Sequence, residues 1–127
     1  MQEKHLFEYA VIRVIPRVER EEFINVGVIL YCSAQNFLQT AFELNNNRLS
    51  ALTSELKLSD IEEHLLAFKH ICEGGPQSGT IGQLPLGERF RWLTAPRSTV
   101  VQTSPVHTGL CSDAGETLTD LLAKLVR

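Results

Sequence analysis

Apolar positions alternate with polar ones in the first third of the chain and recur at helical spacing later. The run Glu22–Tyr31 organises the pattern: Val26, Val28, Ile29, Leu30 and Tyr31 are uncharged β-formers, too few for a helix. It predicts a strand buried on both faces. Gly27 interrupts it, and a glycine inside a strand marks a bulge or the close approach of another group. Upstream, Glu8–Ile15 predicts another strand, ended by Pro16, which has no N–H to give a ladder. Tyr9, Val11, Arg13 and Ile15 share one of its faces and Ala10, Ile12 and Val14 the other. Arg13 thus stands on an otherwise apolar face. It either snorkels to the sheet edge or a carboxylate, or serves binding. Residues 17–22 alternate in charge and predict a solvated connection. Ser33–Asn36 is a polar break of hairpin length, and Phe37–Glu43 predicts a third strand with Leu38, Thr40 and Phe42 on one side. Three sequential strands with short links make an antiparallel meander.

The rhythm then changes. Asn45-Asn46-Asn47 offers caps and turn formers, and Leu49, Leu52 and Leu56 predict a short helix. Ser59 and Glu62 form a capping box for a stronger one, with Ile61, Leu65, Phe68 and Cys72 along its apolar face. Gly74-Gly75-Pro76 stops it. Leu86, Phe90 and Leu93 fit a further short helix. The β-branched run Ser98–Ser104 predicts a fourth strand, ended by Pro105. Asp113 and Glu116 form a second capping box before a stripe of Leu118, Leu121, Leu122 and Leu125. The expected class is α+β: one domain over residues 1–127, an antiparallel sheet of about four strands, and two main amphipathic helices packed on it. The helix pair on one face is the commoner arrangement.

Composition narrows the class. At 127 residues and 43% hydrophobic the chain can bury a core without disulfides. Cys32, Cys72 and Cys111 are odd in number and widely spaced, which argues against a disulfide framework. No apolar run reaches the length of a membrane span, and Met1–His5 lacks the apolar core of a secretory signal. The expectation is a reduced, cytoplasmic protein away from membranes. A net charge of −3 argues against nucleic acid as a partner, short of a local basic patch.

Candidate chemistry is sparse. The stretch Gly74–Thr80 has spaced glycines and a threonine, but it lacks the lysine of a phosphate-binding loop and follows a helix instead of a strand. It reads as a flexible connector. His107 and Cys111 are two ligands where a zinc site needs at least three, so no metal is assigned. Ser104 and His107 are close in sequence, which does not give triad geometry. No catalytic residue and no cofactor are assigned. One constellation stands out: Arg13, Asn25, Gln102, Ser104 and His107 lie on or just beyond apolar strands, with Arg89, Arg91 and Arg97 leading into the fourth. Arginines with amide and hydroxyl donors suit a carboxylate or phosphate. The two readings are a site formed where Arg13, Asn25, Arg89, Gln102 and His107 meet across the sheet, and separate local partners that stabilise the fold.

The motifs Tyr9-x-x-x-Arg13, Glu22-Phe23-x-Asn25-Val26-Gly27-Val28, Glu88-Arg89-Phe90-x-x-Leu93-x-Ala95-Pro96-x-Ser98 and Gln102-x-Ser104-x-x-His107 span nearly the whole chain. Together they resemble a bacterial family of uncharacterised domains, domain of unknown function three-zero-three-seven. The resemblance singles out Arg13, Asn25, Arg89, Gln102, Ser104 and His107 without giving them a mechanism. It implies a small bacterial accessory or interaction module acting with a HipA-like kinase. The alternative is an enzyme or binding domain for an anionic, phosphorylated small molecule or nucleic acid.

Overall fold

A computed structural model describes residues 3–16, 22–52, 57–97 and 99–127. Strands β1 (His5–Val14), β2 (Ile24–Cys32) and β3 (Phe37–Phe42) form the expected antiparallel meander. The helices are α1 (Asn46–Leu52), α2 (Leu58–Glu73), α3 (Leu86–Leu93) and α4 (Ala114–Leu125). Strand β4 (Val101–Thr103) pairs with the C-terminal end of β1. Strand β5 (His107–Cys111) pairs with the N-terminal end of the same β1 edge. The sheet order is β3-β2-β1-β4, with β5 beside β4 along β1.

The sheet is antiparallel as expected, with β5 one strand beyond the four that local pattern marks. Glycine, histidine, threonine and cysteine in 107–111 give no β-type apolar run, so nothing local marks them. Tertiary context does: β1 is ten residues long and β4 pairs only Ile12, Arg13 and Val14. The remaining β1 edge is completed by β5.

Gly27 meets both sequence expectations at once. The β1–β2 register slips between Ile12↔Gly27 and Arg13↔Asn25, leaving Val26 as the extra residue of a bulge. A Cβ on Gly27 would lie 2.7 Å from the Ala41 carbonyl oxygen and 2.9 Å from Phe42 Cβ, so β3 needs the glycine's bareness.

The sheet is buried on both sides. Ala10, Ile12, Val14, Val26 and Ile29 pack with Ile61, Leu65 and Phe68 of α2 and with Phe90 and Leu93 of α3. Phe7, Val28, Leu30 and Cys32 pack on the other side with Leu118 and Leu122 of α4. The two main helices therefore lie on opposite faces, not as a pair on one, because β2 offers each face a set of bulky apolar side chains to bury. The helix starts differ too. Asp113 caps α4, its Oδ1 accepting from the Glu116 N–H at 3.0 Å. By contrast α2 begins one residue before Ser59, with Lys57 at its N-cap and no side-chain cap. Asn45 Oδ1 accepts from the Arg48 N–H at 3.1 Å at the head of α1, and Leu49 is buried.

Residues 17–21, Leu56 and Ser98, which entered the sequence reading, lie outside the described residues. The segment after α2 is folded into two short 3-10 turns, Pro76–Ser78 and Ile81–Gln83. Ser78 is buried against Gly82 there, and Gly74, at φ 74°, ends α2 in the left-handed region. Among the described residues no helix is long and apolar enough to cross a membrane.

Candidate functional site

Arg13 sits on β1 directly between Asn25 of β2 and Gln102 of β4. Residues directly opposite in a sheet share a face, so the three form one row across three strands. The bulge at Val26 is what turns Asn25 to this face. There the Asn25 Nδ2 donates to the Leu125 carbonyl of α4 at 3.0 Å. Gln102 donates to the Thr99 carbonyl at 2.7 Å. Arg13 is half-buried and lies over the ring of Phe23, its guanidinium carbon 4.2 Å from the centroid.

Arg13 differs from the other described arginines. Arg91 pairs with Glu8 at 3.0 Å and Arg127 with Glu43 at 2.9 Å. Arg48 donates to the Val126 carbonyl, Arg89 to three carbonyls and Arg97 to that of Trp92. The Arg13 side chain donates to nothing among the described residues, and its buried Nε is unmet. Opposite it, the buried Asn25 Oδ1 is also unmet. A half-buried cation held by one aromatic face keeps most of its hydrogen-bonding capacity.

The other sequence-predicted residues divide. Ser104 is built into the sheet. Tyr9 faces His107 while Ile12 faces Thr103, so three steps on β1 match four on the other side, and the extra residue falls at Ser104-Pro105. The ladder is interrupted there, and Ser104 bridges the gap at Val11. Its N–H donates to the Val11 carbonyl at 2.8 Å, and its Oγ accepts from the Val11 N–H at 2.9 Å and donates to the Pro105 carbonyl. At 2% exposure its hydroxyl is fully engaged and is not poised as a nucleophile. His107 is exposed at the start of β5, its ring 5.3 Å from that of Tyr9. It shares the Arg13 face, but four residues of β1 separate Tyr9 from Arg13, about 13 Å.

Arg89 is on the far side. It grows from α3 and donates to the Leu84 carbonyl at 2.7 Å and to those of Ile71 and Cys72 at 3.1 and 3.0 Å. It thereby satisfies the free C-terminal carbonyls of α2. Its partners belong to the layer that covers Ile12 and Val14, whereas Arg13 and Asn25 face α4. The meeting of Arg13 with Arg89 is thus corrected: the sheet lies between them. Strand alternation decides this, and the helix layer that Arg89 would occupy is not written in its own segment.

Two contributors escaped the sequence reading. Phe23 was legible only as an aromatic at the mouth of β2. Arg48 has no local signal at all. With Asn25, Asn45–Asn47, Glu43 and Arg127 it lines a cleft of about 610 Å³ at the C-terminal end of α4. Elsewhere burial pushes the Cys72 thiol up to about 11, with a hydrogen bond from Thr40 only partly offsetting it. A thiol so shifted is a packed group, not an activated one.

These features define an α+β protein with an antiparallel sheet between helix layers and, among the described residues, an arginine on its α4 side whose buried Nε has no partner. Residues 9–126 match the model of the family described as "Protein of unknown function (DUF3037)", and the chain belongs to that family. No curated protein and no solved structure matches it significantly.

Proposed function

We propose that the chain is a non-catalytic interaction module that grips an acidic group on a partner protein through Arg13. The observation that carries this reading is the state of that side chain: half-buried, stacked on Phe23, and bonded to no acceptor among the described residues. Keeping a cation partly out of water without a partner costs stability, and a carboxylate supplied by another molecule offsets that cost through charge-assisted, bidentate bonds. Phe23, 46% exposed, extends the contact with apolar area, and arginine beside an aromatic is a common composition for a binding hot spot. Asn25 and Gln102 flank it with polar groups. The HipA-like kinase implied by the family resemblance is the first partner to examine.

The test is capture of a HipA-like kinase by the immobilised chain, with Arg13→Ala and Arg13→Lys alongside. Arg13→Ala is expected to weaken capture at least tenfold while lowering the melting temperature only slightly. Arg13→Lys, which keeps the charge and loses the planar fork, is expected to fall between. Equal capture by wild type and Arg13→Ala, with only the melting temperature reduced, overturns the reading. A second reading is favoured by the polar cleft beside Asn25: an anionic small molecule bound between Arg48 and the asparagines. Thermal-shift screening with nucleotides and phosphosugars separates the two, since a tight ligand raises the melting temperature by mass action.

A further inference from the structure

The sheet's other border carries a second surface, independent of Arg13. Strand β3 is an edge strand, paired only with β2. Its register places Glu43 opposite Val26, and the Glu43 N–H donates to the Val26 carbonyl at 2.7 Å. In an antiparallel pair, bonded and non-bonded positions alternate. Ala41, Gln39 and Phe37 therefore turn their backbones towards β2, and Phe42, Thr40 and Leu38 turn theirs outward. No described residue takes up the outward N–H and C=O groups of these three. The stretch Phe37–Phe42 carries no charge and no proline, the devices that usually blunt an edge.

The edge does not open onto bare solvent. Asn36 to Thr40 form one wall of a groove of about 500 Å³ whose other wall is Lys69, Cys72 and Glu73 of α2, closed by Leu86 and Arg89 of α3. Leu38 and Cys72 are buried and Leu86 is half-buried, so they add apolar atoms to a mainly polar lining, and Lys69 and Glu73 form a charged rim. Arg89 fixes the spacing, because it ties the end of α2 to α3. A strand edge facing a helix across a groove selects one kind of occupant. Only an extended backbone can meet donors and acceptors repeating every second residue, and its alternate side chains then fall towards Leu38, Cys72 and Leu86.

We propose that this groove binds an extended peptide segment of a partner protein, which adds to the sheet as a strand beside β3. The segment places apolar side chains at every second position on the α2 side of the sheet, towards Leu38, Cys72 and Leu86, and its alternate, polar side chains on the opposite face. Its main chain exchanges hydrogen bonds with Leu38 and Thr40.

The test uses a phage-displayed library of random ten-residue peptides selected on the immobilised full chain. Recovered sequences are then resynthesised with single N-methyl groups at each position in turn. The expected result is apolar residues at alternate positions, with N-methylation weakening binding about fivefold or more at every second residue only. Thr40→Pro, which deletes one outward N–H, is expected to weaken binding similarly, and Thr40→Val to leave it near wild type. If Thr40→Pro does not fold, amide exchange of Leu38 and Thr40 in the wild type replaces it, and peptide must slow both. Failure to recover any peptide, N-methyl sensitivity without a period of two, or unchanged exchange at Leu38 and Thr40 each overturns the proposal. A concentration-dependent dimer whose contact protects the same amides reassigns the groove to a second copy of the chain and also overturns it. Arg13→Ala is expected to bind these peptides as the wild type does, so failure here and failure of the Arg13 reading are distinguishable.

Discussion

Ser104 shows how one side chain can rescue a broken ladder. The register slips at Ser104-Pro105 in the middle of the β1 edge, and the Ser104 hydroxyl accepts from the Val11 N–H that the slip would otherwise leave unmet. Ser104→Ala strips that acceptor from a buried amide. The expected cost is about 1–3 kcal/mol, read from urea unfolding, because the Val11 N–H loses its partner without gaining water. A cost below about 0.5 kcal/mol would show that the edge relaxes to admit another acceptor. Arg13 is the contrasting residue: its buried Nε is unmet where Ser104 leaves nothing unmet, and that difference separates the binding reading from a structural one.

Helix ends set the next scale. The segments 59–62 and 113–116 carry the same type of capping signature, and only the second is used. Asp113 adopts an extended conformation at the N-cap and bonds Glu116 N, whereas Ser59 lies one residue inside α2 and caps nothing. Asp113→Ala is therefore expected to destabilise by about 1 kcal/mol. Ser59→Ala is expected to be neutral or slightly stabilising, since alanine is the better interior helix residue. Urea denaturation of the two variants measures the contrast, and an equal loss for both would rule out the assignment of caps. The same element logic explains Arg89, whose Nη1 is spent on the C-terminal carbonyls of α2.

At the scale of the molecule, the C-terminal end of α4 is held by residues far away in sequence. Asn25 reaches the Leu125 carbonyl and Arg48 the Val126 carbonyl, at separations of 100 and 78 residues. Arg127 adds its ion pair to Glu43. The Asn25→Ala, Arg48→Ala double variant is expected to speed amide exchange in the last turn of α4 about tenfold, with the α2 amides unaffected. Hydrogen exchange followed by NMR tests this, and wild-type rates in that turn would show that apolar packing alone docks the helix. Because Asn25 also neighbours Arg13 across the strands, α4 docking and the proposed binding row share a residue.

Period and punctuation along the chain determined the meander, the four helical segments, the break at Pro105 and the crowding at Gly27. Each is a local consequence of side-chain spacing or of one residue's backbone. The apolar faces of β1 and β2 were likewise legible, and so was the anomaly of Arg13 within one of them. Tertiary structure alone decided the rest. The strand β5 exists because β1 had an unpaired edge to offer, although its own residues barely favour a strand. Opposite placement of α2 and α4 followed from β2 being apolar on both sides, which says that both faces are covered without saying by which helix. The six polar residues separated for the same reason. Strand alternation fixes the face of Arg13 and Gln102, the Val26 bulge that of Asn25, but where Arg89 lies depends on which layer its helix joins. Short-range spacing encodes faces, and only the packing of whole elements decides which faces meet.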